Sequence, residues 1–156
     1  MTPPRPLAHS SCLPSWICQR KLSRPTTISG LKDLTCLTTV TGDLTIENTE
    51  SNLVNLSNLV SVGGDLNITS NAYLESVNLT GLTTVGGALY IHENDSLEWV
   101  NLSGDLTIDD QFSISENAVL DDLYLTGTVI VGDYFYFGDN DAMETAELDG
   151  IVSVGS

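Results

Sequence analysis

Residues 59–71, LVSVGGDLNITSN, and residues 82–94, LTTVGGALYIHEN, carry one pattern set 23 residues apart. After the glycine pair each copy alternates apolar and polar positions, Leu66, Ile68 and then Leu89, Ile91. Period-two alternation is the signature of a strand with one face buried, and Gly and Asn at its ends mark turns. The period extends outward in both directions. Asn48, Asn71, Asn94, Asn117 and Asn140 obey it, as do Val62, Val85, Ile108, Val131 and Val154. A one-residue deletion brings the first coil into line and places Val40, Leu44, Ile46, Val54 and Leu56 in the same columns.

A unit of 23 residues cannot bury its own apolar face, but stacked units make a continuous core with like side chains over like. The sequence therefore predicts an all-β fold, a parallel β-solenoid of about five coils. An antiparallel sandwich also has short strands, yet nothing in it enforces identical spacing. A helix-bearing leucine-rich repeat is disfavoured, because no capped helical periodicity lies between the Asn and the next glycines. The Asn column has a mechanical reading. A buried amide can satisfy backbone groups in the turns above and below it.

The chain is 156 residues long with a formal charge of −16. Its charges are segregated: Arg5, Arg20, Lys21, Arg24 and Lys32 all precede Asp33, and every carboxylate lies at or beyond it. Residues 1–27 are basic, rich in Pro and Ser and without periodicity, which reads as a disordered leader ahead of a solenoid spanning 28–156. The leader makes a poor export signal, since His9, Ser10, Ser11, Pro14 and Ser15 interrupt its apolar stretch. No apolar run is long enough to span a bilayer. So acidic a chain lacks the basic footprint that nucleic-acid binding requires.

The repeated V-x-G-D-L-x-I signature in LKDLTCLTTVTGDLTI, LVSVGGDLNITSN and LTTVGGALYIHEN resembles the receptor L-domain superfamily. That superfamily includes lobes of insulin-receptor and epidermal-growth-factor-receptor type ectodomains, and fungal GPI-anchored cell-wall proteins. The likeness runs from about Ile28 onward. It implies a right-handed, leucine-rich-repeat-like solenoid at a cell surface or outside the cell, without catalysis, used for binding, adhesion or wall integrity. The chain departs from the anchored members in showing no hydrophobic C-terminal tail. Such folds often close their first coil with a disulfide. The resemblance thus implies a Cys18–Cys36 bridge, with Cys12–Cys36 as the rival and three free thiols as the remaining alternative.

Candidate sites follow from the outward positions. Five Asn-x-Ser/Thr sequons occur, at Asn55, Asn67, Asn78, Asn94 and Asn101. Three share one column, which is either a row of glycan acceptors in an exported protein or a copied outward Asn. Glu75, Glu98, Asp121 and Glu144 form one acidic column, and Glu47, Glu93, Glu116 and Asp139 another, with no Lys or Arg beyond Lys32 to neutralise them. Glu93, Asp95, Glu116, Asp139 and Asp141 offer carboxylates suited to calcium, although no EF-hand or GGxGxD motif is present. A solvated acidic face is the simpler account. Asp109, Asp110, Asp121, Asp122 and Asp133 supply enough carboxylates for a glycosidase, but β-helix enzymes acting on acidic polysaccharides generally also need a basic residue.

The outward strand positions carry Tyr90, His92 and Tyr136, with Tyr134 beside them, and Tyr is favoured on recognition surfaces. These four are the expected contacts for a protein or glycan ligand. The alternative from another class is a structural surface-layer module, or a truncated fragment, that self-associates end to end through its last coil at Ile151–Val154.

Overall fold

The computed structural model describes residues 21–22, 26–29, 34–148 and 152–155. Three parallel sheets run the length of the stack, and no helix occurs among the described residues. The six-stranded sheet comprises Thr26–Ile28, Leu44–Glu47, Leu66–Thr69, Leu89–His92, Phe112–Ser115 and Phe135–Gly138. The five-stranded sheet comprises Leu53–Asn55, Ser76–Asn78, Trp99–Asn101, Asp122–Leu125 and Thr145–Leu148. The seven-stranded sheet runs from Lys21–Leu22 through Thr39–Val40, Ser61–Val62, Thr84–Val85, Leu106–Ile108 and Val129–Val131 to Val152–Val154. Each coil adds one strand to each sheet, which is the β-solenoid the period predicts.

Register follows composition. Leu44, Leu66, Leu89, Phe112 and Phe135 are paired in series, and so are Ile28, Ile46, Ile68, Ile91, Ile114 and Phe137. Side chains alternate across a strand, so both columns point inward while the residues between them face out. The Leu and Ile members and Phe112 are fully buried, and Phe112 packs on Phe135 with ring centroids 4.9 Å apart. A slip of one residue would turn every apolar side chain outward, so burial itself fixes the register.

The corner before the six-stranded sheet is tight. A Cβ on Gly86 would lie 2.6 Å from the Gly63 carbonyl oxygen, which is why the coil carries glycine there. Just beyond it, Asp65 accepts the Ala88 backbone N–H at 2.9 Å, and Asp43 accepts that of Asp65 at 3.1 Å. A side-chain carboxylate thereby joins each of the first two such turns to the one that follows.

At the opposite end of that sheet the Asn column forms a ladder. Asn94 donates from Nδ2 to the carbonyls of Ile68 (3.1 Å) and His92 (3.0 Å) and to Oδ1 of Asn117 (3.1 Å), which also accepts the Asn94 backbone N–H. Asn71 and Asn117 repeat the arrangement, and Asn140 donates to Ile114 and Gly138. Every buried side-chain nitrogen and oxygen among the described residues is satisfied.

Asn48 is a correction. Strand residues of the first coil pair with the second at a spacing of 22 up to Glu47↔Thr69, and at 23 from Leu53↔Ser76 onward. The missing residue therefore falls between Thr49 and Leu53, and Thr49 occupies the first rung. Its N–H and hydroxyl both donate to Asn71 Oδ1, at 3.0 and 2.9 Å. Asn48 is exposed at the preceding position with φ 51°, in a column of left-handed residues with Ser70, Glu93, Glu116 and Asp139. Asn suits that conformation because its short polar side chain tolerates it better than most.

Strand pairing also begins upstream of Ile28. Lys21–Leu22 pairs with Thr39–Val40 and Thr26–Ile28 with Leu44–Ile46, inside the stretch that composition assigned to the leader. Parallel pairing asks only for backbone groups facing a free edge, and Thr26, Thr27 and Ile28 are good strand formers. Residues 1–20 lie outside the described residues. Cys36 is disulfide-bonded, and Cys12 and Cys18, the candidates for its partner, both lie outside the described residues.

Candidate functional site

The outward face of the six-stranded sheet is uniform in backbone and varied in side chain. Asn67, Tyr90, Ser113 and Tyr136 are in register on successive coils, and two residues further on Thr69, His92, Ser115 and Gly138 are too. Ser113 and Ser115 are buried between rows of larger neighbours, so they form a floor with Tyr90 and His92 on one side and Tyr136 on the other. The Tyr90 and His92 rings meet edge to face, centroids 6.3 Å apart.

Tyr90 and Tyr136 are each held by a polar partner. The Tyr90 hydroxyl donates to Gln111 Oε1 at 2.6 Å, and Gln111 donates onward to Asp133 at 3.3 Å. Burial, followed by the charges of Tyr134, Asp110, Asp65 and Asp133, pushes the Tyr90 hydroxyl above its ordinary pKa of 10.0. The Tyr136 hydroxyl donates to Asp139 Oδ2 at 3.0 Å, and that bond with the carboxylate's charge raises its pKa likewise. The Tyr136 ring lies over Gly138, where a Cβ would come within 2.6 Å of the hydroxyl. Tyr134 and Tyr136 remain 46% and 44% exposed, so the face presents apolar rings, with the polar tips of Tyr90 and Tyr136 anchored.

Three of the four expected contact residues thus belong to the six-stranded sheet, with Tyr90 and Tyr136 two coils apart, and Tyr134 immediately precedes its last strand. Gln111 was not singled out from the sequence. It stands in the column of Asp43 and Asp65, and a lone amide there gives no periodic signal. Tyr73, 66% exposed on a turn, and Val119 also escaped notice. Together with Glu98, Trp99, Asp121, Asp122 and Glu144, Val119 borders a shallow groove of about 330 Å³ beside the five-stranded sheet.

The expected calcium site is not assembled. Among the described residues, no three His, Cys, Asp or Glu side chains converge on a common point. Glu93 accepts the Ser70 hydroxyl at 2.9 Å and stands 3.9 Å from His92 Nδ1, while Asp139 is engaged with Tyr136. Glu93, Asp95, Glu116, Asp139 and Asp141 are all exposed on outward turns, where stacked carboxylates splay into water.

The sequons separate by burial. Asn94 is fully buried with its amide committed to the ladder, so the folded protein cannot carry a glycan there. Asn67, half-buried, stands beside Tyr90, whereas Asn55, Asn78 and Asn101 form an outward row on the five-stranded sheet.

The family model described as Receptor L domain matches residues 21–117, well over half of the chain. No curated protein and no solved structure gives a significant match. No helix among the described residues is long and apolar enough to cross a membrane.

Proposed function

The chain belongs to the receptor L domain family, whose members are ligand-binding modules of receptor ectodomains, and from that premise we propose that it is a noncatalytic extracellular or cell-surface adhesion module recognising a protein or glycan. The observation that carries this reading is the aromatic face, with Tyr90, His92 and Tyr136 around the serine floor, Tyr134 exposed just before the last strand, and the tips of Tyr90 and Tyr136 already anchored. Flat apolar rings with polar edges suit the faces of sugars and the side chains of a protein epitope. The disulfide at Cys36 supports an oxidising compartment.

The test is direct binding of the purified chain to an immobilised oligosaccharide panel and to intact cell surfaces. Replacing Tyr134 or Tyr136 by Ala should weaken binding by roughly tenfold or more, the loss of about 1.4 kcal/mol. Unchanged binding by both variants would move the site elsewhere.

A further inference from the structure

The five-stranded sheet carries a feature that the aromatic face does not absorb. Asn55, Asn78 and Asn101 are in register on three successive coils, each half-buried and each the first residue of a sequon. Their side chains share one geometry. Asn55 Oδ1 accepts the N–H of Ser57 at 3.2 Å, Asn78 that of Thr80 at 3.2 Å, and Asn101 that of Ser103 at 3.0 Å. The turn uses the oxygen side of each amide. A glycan attaches through the nitrogen, so modification leaves the turn intact. At Asn94 the same chemistry would destroy the ladder.

The three sites differ in what lies two residues earlier on the same face. Asn55 has Leu53 and Asn78 has the buried Ser76, but Asn101 has the half-exposed indole of Trp99. Residues i and i+2 of a strand stand roughly 6.7 Å apart on one side of the sheet, within reach of a sugar ring linked to the amide. On the next coil Asp122 pairs with Trp99 and Tyr124 with Asn101, so a carboxylate and a second ring border the same spot.

We infer that Asn101 is an N-glycan acceptor whose first sugar packs on the indole of Trp99. In the covalent step Asn101 Nδ2 bonds to the anomeric carbon of N-acetylglucosamine from a lipid-diphosphate-linked oligosaccharide. The anomeric carbon's bond to phosphate oxygen breaks, the lipid diphosphate leaves, and Nδ2 gives up one proton. The apolar face of the sugar then covers indole surface that would otherwise meet water, and its hydroxyls meet the carboxylates at the groove's edge. This assignment is independent of the aromatic face on the six-stranded sheet.

The test uses the full chain secreted by a eukaryotic host behind an added export signal. Because the host supplies export, a negative result leaves the cell-surface reading standing. Enzymatic deglycosylation in heavy-oxygen water tags each occupied Asn for peptide mass spectrometry. Asn101 should be tagged and Asn94 bare; an untagged Asn101 in the secreted protein overturns the assignment. Hydroxyl-radical footprinting should show Trp99 modified at least twofold more slowly in the glycosylated chain, and equal rates would overturn the packing. Deglycosylation should lower Tm by about 3 °C in the parent chain, the scale of one modest contact in a domain of this size. It should lower it by less in Trp99→Ala, and equal losses in the two chains would also overturn the contact. If Trp99→Ala is not secreted, the footprint on the parent chain decides alone.

Discussion

The six-stranded sheet has two faces built from the same strands, and they obey opposite rules. Inward, Leu44, Leu66, Leu89 and Phe112 repeat nearly the same side chain on every coil. Outward, the intervening positions read Thr27, Thr45, Asn67, Tyr90, Ser113 and Tyr136, with no one side chain carried through the column. The inside must stack like on like, because each coil rests on its neighbours and a mismatch leaves a void or a clash. Nothing imposes that on the outside. Repetition therefore marks what holds the molecule up, and departure from repetition marks where a ligand can be chosen.

The largest effect should come from breaking a rung. Asn94→Ala removes donors to Ile68, His92 and Asn117 and leaves buried carbonyls without partners, at a cost of about 3 kcal/mol. Asn48→Ala should cost about 1 kcal/mol at most, because Asn48 fills an exposed left-handed turn and touches no rung. Urea unfolding of both variants checks the contrast; comparable losses would put Asn48 back in the ladder.

That pair also shows how far the sequence could be read. The 23-residue period sufficed for the coil, the strands and the inward columns, because stacking converts spacing directly into contact. It misplaced Asn48 because an Asn happens to stand 23 residues before Asn71, while the deletion that shifts the first coil to 22 sits in a turn with no periodic residue to locate it. Only strand pairing shows that Thr49 is the rung. The aromatic positions were legible as outward residues. The Tyr90 bond to Gln111 and the half-buried Trp99 were not, since singular residues leave no echo at the next coil.

A smaller effect is expected at the corner glycines. Gly86→Ala places a methyl against the Gly63 carbonyl, and overpacking of this kind costs about 1–3 kcal/mol. Thr84→Ala, at an exposed position on the strand that leads into this corner, should stay within about 0.5 kcal/mol. Thermal melts of the two separate a corner that demands glycine from one that merely contains it.

The outward face should report itself through pH. The Tyr90 hydroxyl has a raised pKa in the folded chain, so the fold favours its neutral form. The stability this adds is fully present below the ordinary tyrosine value of 10.0 and is lost as pH rises through the folded value. Ultraviolet titration of the native protein should show two tyrosines ionising late, and Tyr90→Phe and Tyr136→Phe should each remove one of them. A late component of unchanged size in Tyr90→Phe would mean that burial and the neighbouring carboxylates do not hold Tyr90 neutral.

The smallest effect concerns the acidic columns, where the inside-outside contrast meets its limit. Glu75, Glu98, Asp121 and Glu144 do repeat, yet they are exposed, and repetition of like charge stabilises nothing. Carboxylates on neighbouring strands about 4.8 Å apart repel by roughly 1 kcal/mol in water. Asn52 relieves only the first, donating to Glu75 at 3.1 Å. With no Lys or Arg beyond Lys32, the relief for the others must come from solution ions. Screening depends on ionic strength and not on the identity of the cation, the Debye length being about 10 Å at 0.1 M. Calcium, magnesium and sodium at matched ionic strength should therefore raise Tm by the same few degrees. A rise selective for calcium would mean that some of these carboxylates converge on an ion, and the columns would then belong with the ladder as part of what holds the coils together.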